Sequence, residues 1–255
     1  MSGLRFSIDS KKFIDALNLI TLRGKYPSGT THKMKSLSDY VYVVGTDNYL
    51  EMYNADNTTM CSYKISNIDM IRATGECILD ITKTLKYLKT FSGIVNVTIT
   101  DYVTLTTENK TAKMPYVVSH PCFAMIEHIR YLKLPIDGSM PTFGKDKTKY
   151  EAQLTLEAVN LFDAAKSCDV IGMGRYKFDY DGTSFLMSSP QDGIEEIKID
   201  IPVLSHTGDE ATVELAGPFA QFVDGPTIIY LKDEFPVLFV SPNKMLIKAP
   251  RITGR

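Results

Sequence analysis

Residues 227–240 read TIIYLKDEFPVLFV, and residues 245–252 read MLIKAPRI. The apolar runs in these stretches are short and rich in β-branched and aromatic side chains, which is typical of β-strands. Turn-forming pairs lie between the runs, Asp-Glu at 233–234 and Pro-Asn at 242–243. Short strands joined by such tight turns must be antiparallel, because a parallel pair needs a long crossover. The C-terminal part of the chain is therefore predicted to form an antiparallel β-sheet.

Short β-rich segments of the same kind occur along the whole chain. Four other segments have helical periodicity and follow capping residues or, in the last case, a glycine before a proline. These predicted helices cover residues 11–20, 83–90, 156–167 and 218–223. The combination predicts an α+β fold in which antiparallel sheets predominate. The main predicted strands besides those at the C-terminus are 4–8, 40–46, 77–81, 94–100, 102–107, 110–118, 150–154, 176–180 and 212–216.

The order of these elements repeats once along the chain. Each half begins with a strand and a helix, continues through strands to a second helix, and ends with three strands. We therefore predict two similar β-rich domains with two helices each, at residues 1–118 and 148–255. Residues 119–147 lie between them, contain three prolines and two glycines, and suit an interdomain connector. Its apolar centre, residues 123–129, is either part of a plain tether or a docking segment for a partner.

The composition is that of an ordinary globular protein. The chain has 255 residues, of which 44% are hydrophobic, and 28 basic against 30 acidic residues give a net charge of −2. These values argue against disorder, coiled coils and collagen. No apolar run approaches the ~18–20 residues that cross a bilayer, so no membrane association is expected. The four cysteines are widely scattered, which favours reduced thiols in an intracellular protein.

Lysines recur on two of the predicted helices. Lys83, Lys86 and Lys89 lie at three-residue spacing on the second helix, opposite its leucines. Lys11 and Lys12 lie opposite the apolar stripe of the first helix. Each row alone is typical of a solvated helix face. If both helices lay on one side of the sheets, their lysines would form one surface able to bind DNA phosphates without reading bases.

These features together resemble DNA sliding clamps of the proliferating-cell nuclear antigen type, in particular archaeal and viral ones. Residues 227–252 are similar to the strands that end such clamps, including the Ala-Pro pair at 249–250. Residues 80–89, DITKTLKYLK, resemble the strand and basic helix of the first clamp domain. Residues 40–53 resemble the strand, turn and strand near the partner-binding face. The resemblance covers nearly the whole chain in element order, while residue matches are confined to these stretches.

The resemblance implies a non-enzymatic processivity factor that forms a ring around duplex DNA and tethers DNA polymerase and other replication and repair enzymes. It implies no cofactor and no metal, a clamp loader as a partner, and a place in the cytoplasm at a nucleoid or viral replication site, or in a eukaryotic nucleus. The helices would face the DNA, and the second domain, poor in lysine, would hold it weakly. The implied DNA-binding residues are Lys11, Lys12, Lys83, Lys86, Lys89 and Lys166.

The resemblance also implies a pocket beneath the connector, where partners dock through a short apolar and aromatic motif. Core packing is the competing explanation for each of its residues, because apolar side chains on strands are most often buried. The implied pocket residues are Leu50, Met52, Met140, Phe143, Pro226, Ala249 and Pro250.

Ring closure would join the edge strand 110–118 of one subunit to the strand 194–201 of the next. Two domains per chain imply a homotrimer if the ring has six domains. Pro115 lies in the first of these strands, lacks an N–H, and is of the kind that blunts sheet edges. A weak trimer or a monomer is therefore a second possibility. The implied interface residues are Lys113, Pro115, Tyr116, Ile197 and Ile199.

Two other classes of protein compete with a closed clamp. A monomeric DNA-binding processivity factor would use the basic helices without a ring, and a clamp-fold scaffold would bind proteins without binding DNA. An enzyme is disfavoured, because no P-loop, G-x-S-x-G or H-E-x-x-H pattern occurs. His120, Cys122 and His128 form an H-x-C-x5-H run, but a structural zinc site needs further paired ligands. Asp179 and Asp181 are interpreted as turn residues rather than a catalytic pair.

Overall fold

The structure is a computed structural model, in which the chain divides into two compact units, one that ends at Glu127 and one that begins at His128. Within the described residues there are four helices and many antiparallel strands, which confirms the predicted α+β fold. No helix in this part of the chain is long and apolar enough to cross a membrane. The residues described are 3–21, 38–121, 123–172, 174–189 and 196–251.

The described part of the first unit contains nine strands and two helices, and a third helix runs across its end. In chain order these elements are β1 (Arg5–Asp9), α1 (Ser10–Ile20), β2 (Tyr40–Gly45), β3 (Leu50–Ala55), β4 (Thr59–Ile65), β5 (Met70–Ala73), β6 (Gly75–Asp80), α2 (Ile81–Leu88), β7 (Ile94–Ile99), β8 (Tyr102–Thr106), β9 (Thr111–Pro115) and α3 (Phe123–Arg130). One sheet has the order β5-β1-β7-β8-β9, and β4-β3-β2-β6 are consecutive strands of another. All these neighbours are antiparallel.

The second unit has the same kinds of element. In chain order they are β10 (Thr142–Phe143), β11 (Thr148–Lys149), β12 (Ala152–Glu157), α4 (Ala158–Gly172), β13 (Arg175–Tyr180), β14 (Phe185–Ser188), β15 (Lys198–Asp200), β16 (Ser205–Gly208), β17 (Ala211–Ala216), β18 (Pro226–Leu231), β19 (Val237–Ser241) and β20 (Lys244–Lys248). Strands β16-β12-β18-β19-β20 lie side by side, β15-β14-β13-β17 form a second sheet, and β10-β11 form a hairpin.

The C-terminal strands form as their sequence predicts. Ile229 pairs with Phe239 across β18 and β19, and Leu238 pairs with Ile247 across β19 and β20. All four side chains are fully buried. Burial of side chains from these strands explains their nearly continuous apolar runs.

Residues 218–223 form a turn, and the predicted helix there is wrong. The N–H of Phe222 donates to the carbonyl of Phe219 at 2.9 Å, and both rings are fully buried. The Phe219 ring stacks on Phe239 with centroids 5.2 Å apart. A single turn suffices to bury two rings three residues apart, whereas an isolated six-residue helix gains too few hydrogen bonds to form by itself.

Helix α4 begins later and ends later than predicted. Leu156 and Glu157 still belong to β12, where they pair with Thr227 and Pro226 of β18. The helix then continues to Gly172. In the connector, α3 buries Ile126 and Ile129, which accounts for the apolar centre of that segment.

Candidate nucleic-acid interface

Helices α1 and α2 lie against each other in the first unit, and each follows directly on a strand. The same device starts both helices, because the aspartate that ends the strand accepts a hydrogen bond from a helix N–H. Asp9 Oδ1 accepts from Lys12 N at 3.0 Å, and Asp80 Oδ1 accepts from Lys83 N at 2.9 Å. Helix α2 starts earlier than predicted because Asp80, not Thr82, is its cap.

Both helices bury their apolar faces and turn lysines outward. Lys11 on α1 is exposed and Lys12 is half-buried. Lys83, Lys86 and Lys89 on α2 are all exposed. The two lysine rows that the sequence predicts therefore lie on neighbouring helices of one unit.

The five lysines differ in the partners they have. Lys12 Nζ donates to the backbone carbonyl of Asn67. Lys83 Nζ lies 3.2 Å from Asp80 Oδ2, in an exposed ion pair that contributes little to stability. Within the described residues, the other three lysines form no ion pair and no side-chain hydrogen bond, so their ammonium groups are available to external anions. These three are Lys11, Lys86 and Lys89.

Lys110 is a basic residue near α2 that sequence reasoning missed. Its Nζ donates to the carbonyl of Thr90, just after the helix, at 2.7 Å and lies 4.9 Å from the Phe91 ring centroid. The side chain therefore lies at the C-terminal end of the helix that carries Lys86 and Lys89. Helical periodicity could not find it, because Lys110 lies in the turn between β8 and β9.

The second unit has a different exposed helix face. Lys166 on α4 is exposed, but so is Asp163, and their charges offset each other. Val159 and Val170 lie on the same exposed face, with 61% and 73% of their surface accessible. With residues 218–223 in a turn, the described part of this unit has no second helix that could supply lysines. Among the described helices, an exposed row of lysines therefore occurs only in the first unit.

Strand β9 is an edge strand, since among the described strands it pairs with β8 alone. The N–H of Thr107 donates to the carbonyl of Lys110 at 2.9 Å, which makes this pair a hydrogen-bonded one. Hydrogen-bonded and non-hydrogen-bonded pairs alternate in antiparallel ladders, so Thr111, Lys113 and Pro115 belong to the non-hydrogen-bonded pairs. Their backbone groups point to the free edge, and Pro115 contributes no N–H there.

Strand β15 is also an edge strand in the described part of its sheet, where it pairs only with β14. The N–H of Ile201 donates to the carbonyl of Phe185 at 2.9 Å. By the same alternation, the backbone groups of Lys198 and Asp200 point to the free edge. Residues 194–195, which belong to the predicted interface strand, lie outside the described residues.

The predicted interface side chains lie beside these edges. Lys113 and Pro115 are exposed, whereas Tyr116, Ile197 and Ile199 are half-buried. Each edge thus has free backbone groups together with side chains that are not fully packed inside their own chain.

No protein-family model matches the sequence, and no curated protein matches it. Solved structures do match over almost the whole chain. PCNA of A. fulgidus, solved with the C-terminal region of FEN-1, is 15% identical with a TM-score of 0.69, and the match covers 99% of this chain and 100% of that one. PCNA of Thermococcus kodakaraensis is 12% identical with a TM-score of 0.65, over 97% and 100% of the two chains. The β subunit of DNA polymerase III from Thermotoga maritima is 13% identical with a TM-score of 0.71, over 100% of this chain and 67% of that one.

The chain has the sliding-clamp fold. It spans the full length of the archaeal clamps and about two thirds of the bacterial subunit. The resemblance that the sequence suggested is thus confirmed at the level of fold.

The clamp fold buries two of the predicted pocket residues. Leu50 and Met52 both have 0% exposure and face the interior of the first unit. Their burial follows the core-packing alternative, because neither side chain reaches the surface. Sequence alone could not distinguish the two cases, since an apolar strand residue fits a core and a pocket equally well.

The other predicted pocket residues belong to the second unit and remain accessible. Pro226 is exposed at the start of β18, and Ala249 and Pro250 are half-buried directly after β20. Met140 and Phe143 are half-buried. These five residues can still contribute to a partner site.

Phe143 lies in an aromatic cluster of the second unit. Its ring lies edge-on to Phe235, with centroids 6.1 Å apart, and 6.1 Å from the ring of His128. Phe235 in turn contacts Tyr150 at 5.4 Å. The cluster holds the β10–β11 hairpin against the turn between β18 and β19.

The carboxylates of Asp179 and Asp181 have structural roles. Asp181 accepts hydrogen bonds from the backbone N–H groups of Thr183 and Ser184 at 2.8 Å, and these bonds hold its pKa well below the ordinary value. Asp179 accepts a bond from the Thr212 hydroxyl at 2.7 Å, which lowers its pKa, aided by Lys177. Asp181 is therefore a turn acceptor, as predicted, whereas Asp179 lies within β13 and is a strand residue rather than a turn residue.

The three cysteines that the structure describes are buried, unlike reactive thiols. Cys61, Cys77 and Cys168 are buried and form no disulfide with one another, and burial raises the pKa of Cys168 to about 12. His120 packs against Tyr40 with ring centroids 4.4 Å apart, while Cys122 lies outside the described residues. Within the part of the chain that the structure describes, no three metal-ligating side chains come together.

Proposed function

We propose that the protein is a DNA sliding clamp, a processivity factor that encircles duplex DNA and tethers replication and repair enzymes to it. The observation that carries this proposal is a sliding-clamp fold whose first unit exposes a row of lysines on two adjacent helices. A fold alone would not indicate DNA binding, because one fold can serve several functions. The lysine row adds the chemistry that DNA binding requires.

The lysine row suits sliding rather than sequence recognition. An ammonium group on a flexible side chain is a point charge that contacts phosphates without reading base edges. Lys11, Lys86 and Lys89 have no competing ion pair among the described residues, so each can replace a counterion on the phosphate backbone. Such contacts are interchangeable from one phosphate to the next, and the duplex can move past them.

Tethering accounts for how a non-enzymatic protein would serve replication. A partner bound to a clamp on DNA is held at a high effective concentration near the template. One of the structural neighbours, the A. fulgidus PCNA, was solved with the C-terminal region of FEN-1 bound. By analogy, we assign docking of DNA polymerase and other partners to the surface near Met140, Phe143, Pro226, Ala249 and Pro250. Opening of the ring by a clamp loader belongs to the same proposal.

A homotrimer is the assembly that we assign to the ring. Each chain has two units, so three chains would supply six. The free edges of β9 and β15 would join head to tail, a heterologous contact that closes only at the right rotation. Both edges are unpaired among the described strands, which is the condition that strand addition requires.

Retention on DNA of different topology tests the proposal directly. A closed ring loaded onto nicked circular DNA should remain bound at a salt concentration that removes direct electrostatic contacts, and cutting the circle should release it. Loading would use the cognate loader, or assembly of the subunits around the DNA at high protein concentration. Equal retention on circular and linear DNA would contradict the ring.

A monomeric DNA-binding factor is the second candidate, and Pro115 is the observation that favours it. A proline whose nitrogen points to the free edge removes a donor from the strand pairing that would close the ring. This factor would bind circular and linear DNA equally, with strong salt dependence. A scaffold without DNA function would bind neither.

A further inference from the structure

We infer that the C-terminal end of α2 binds unpaired nucleotides of single-stranded DNA, with one base stacked on Tyr87 and its neighbour in a cavity beside Lys110. The inference rests on the proposed function, in which the lysine row binds DNA, and adds the form of DNA that this end of the row prefers. It follows from one exposed aromatic ring, one cavity and the charged groups around them.

Tyr87 is an exposed aromatic side chain within the lysine row. Helices α1 and α2 carry two aromatic residues, of which Phe13 is fully buried and Tyr87 is 36% exposed. Lys83 precedes Tyr87 by about one helical turn, and Lys86 is its neighbour in sequence. The buried side of α2 is formed by other residues. Part of the Tyr87 ring therefore lies on the solvent side of the helix, together with the lysines.

A cavity of about 410 Å³ opens at the end of the same helix. Thr90 lines it, and the Thr90 hydroxyl donates to the carbonyl of Tyr87 at 2.7 Å, so the cavity begins within one helical turn of Tyr87. Ile94, which is 54% exposed, gives the cavity an apolar wall, and Asn109 gives it an amide group. Small-molecule sites start at roughly 300 Å³, so the cavity is large enough for one base.

Lysines supply the charge that the phosphate between two such bases requires. Lys110 lines the cavity, and its ammonium group donates one hydrogen bond to the carbonyl of Thr90 at 2.7 Å. An ammonium group has three N–H groups, so two remain for an anion. Lys89 is exposed directly before Thr90. Glu108 on the cavity wall is acidic and can accept a hydrogen bond from the amino group of a base.

This combination fits a single strand better than a duplex. In a duplex the faces of each base are covered by its stacked neighbours, and exposing one costs unstacking energy. In a single strand the base faces are accessible, and proteins that bind single strands combine a positive surface with aromatic rings on which bases stack. Lysines alone contact the phosphates of both forms. Tyr87 and the cavity therefore add a preference for single strands to the lysine row.

A tryptophan at position 87 tests the stacking directly. The chain has no tryptophan, so Tyr87→Trp introduces the only indole, whose fluorescence is quenched when a base stacks on it. Oligothymidylate should quench this fluorescence, whereas a blunt duplex bound to the same occupancy should not. Tyr131→Trp, at a side chain that is 67% exposed and outside α1 and α2, is the matched control and should show no quenching. Equal quenching by the duplex and by oligothymidylate would overturn the preference.

The affinity for labelled oligothymidylate, measured by fluorescence anisotropy, tests the contribution of the ring. Loss of one stacked base in Tyr87→Ala should raise the Kd roughly 5- to 150-fold and leave the Kd for a duplex unchanged. Tyr87→Phe keeps the ring and should keep the affinity, which separates loss of stacking from loss of the hydroxyl. An equal loss of affinity for both forms of DNA in Tyr87→Ala would overturn the inference.

The salt dependence of the same binding tests the phosphate contact at the cavity. Lys110→Gln should lower the slope of log affinity against log salt by about 0.7, the value for one phosphate contact on a single strand. Lys133→Gln makes the same charge change at another exposed lysine and should leave the slope unchanged. Equal slopes in these two variants would remove Lys110 from the site and overturn the inference.

Failure of this inference and failure of the clamp give different results. If the protein is retained on circular DNA but Tyr87→Ala binds oligothymidylate as tightly as the unmodified protein, the clamp stands and the single-strand site is overturned. If retention on circles fails but Tyr87→Trp is quenched by oligothymidylate alone, the site stands without a ring. If neither form of DNA binds, DNA binding by the lysine row fails, and the single-strand site with it.

Discussion

Pro115 lies opposite Tyr102 as a non-hydrogen-bonded pair of β8 and β9, so its nitrogen faces the free edge of the sheet. Any other residue at this position would offer an N–H to an added strand. The proline removes that donor and leaves the carbonyl in place. In the proposed ring, an edge of this kind would still accept a partner strand but would bind it less tightly, so the ring would open more readily.

Replacing this proline should strengthen assembly. Pro115→Ala restores one donor at the edge, and one added hydrogen bond is worth about 0.5–1.5 kcal/mol, or roughly a two- to tenfold lower dissociation constant per contact. Sedimentation across a concentration series measures the change. The variant also loosens the unfolded chain by about 0.4–1 kcal/mol, so its stability must be measured separately by denaturation. An unchanged dissociation constant would show that β9 is not the assembly edge.

Removing Lys11, Lys86 and Lys89, which form no ion pair in the part of the chain that the structure describes, should weaken DNA binding and flatten its salt dependence. Each phosphate contact contributes ~0.9 to the slope of log affinity against log salt, so the variant with Lys11→Ala, Lys86→Ala and Lys89→Ala should lose roughly 2.7 from it. The matched control changes exposed lysines outside both helices and has the same net charge, with Lys133→Ala, Lys145→Ala and Lys149→Ala. Equal effects of the two triple variants would indicate general electrostatics rather than this face.

The Ala249 and Pro250 surface should be required for partner docking. Ala249→Gln with Pro250→Gln places long polar side chains on the half-buried segment after β20 and should abolish binding of a clamp-binding peptide. Fluorescence anisotropy of a labelled peptide with an apolar and aromatic motif gives the affinity. Ala216→Gln, at an exposed alanine of the same unit, should leave it unchanged. Normal affinity in a folded double variant would rule out this surface.

The buried pair of Tyr176 and Asp169 should stabilise the second unit. The Tyr176 hydroxyl donates to Asp169 Oδ1 at 2.5 Å, and Asp169 is 2% exposed. Tyr176→Phe removes this donor from a buried carboxylate, which should cost about 1–3 kcal/mol in the free energy of unfolding. Urea denaturation measures the loss. Tyr131→Phe, at a side chain that is 67% exposed, is the control and should change stability little.

Acid should destabilise the protein partly through Asp181. Its hydrogen bonds lower the pKa in the folded state, so the stabilisation is present above the unfolded pKa of about 3.9 and is lost as the pH falls below that value. Asp181→Asn keeps an acceptor oxygen but cannot titrate in this range. The difference in unfolding free energy between pH 6 and pH 3 should therefore be smaller in this variant. Asp101→Asn, an exposed aspartate in another turn, serves as the control.

Sequence reasoning predicted the strands and helices whose local residue pattern matches the burial of their side chains in the structure. The C-terminal strands combine β-branched runs with turn pairs, and the structure forms them within a few residues of the predicted limits. Strand β16 was missed because its four residues are all exposed and have no apolar pattern. Residues 218–223 were misread because Pro218 is a good helix start, while two buried phenylalanine rings determine the turn.

In the candidate sites, too, sequence reasoning found the features that local spacing encodes and missed those that depend on tertiary contacts. Lysine rows on helices are visible in the sequence because helical spacing places them on one face. The ion pair of Lys83 with Asp80 and the location of Lys110 depend on tertiary contacts that spacing does not encode. Leu50 and Met52 were assigned to a pocket but are buried in the core. An apolar strand residue gives no local signal of whether it faces a core or a pocket.

The lysine row on the helices of the first unit, which α4 of the second unit lacks, has a consequence for how a duplex would move through the proposed ring. Three helix faces with lysine rows would alternate with three nearly neutral helix faces around the hole. The electrostatic potential would therefore be attractive to DNA at three places around the ring. Because screening limits these charges to a range of about 8–10 Å, the duplex would lean toward one lysine face at a time. The duplex axis would then be tilted toward one lysine face, and it would change between three equivalent tilts as the duplex rotates. Friction against translocation would accordingly depend on ionic strength.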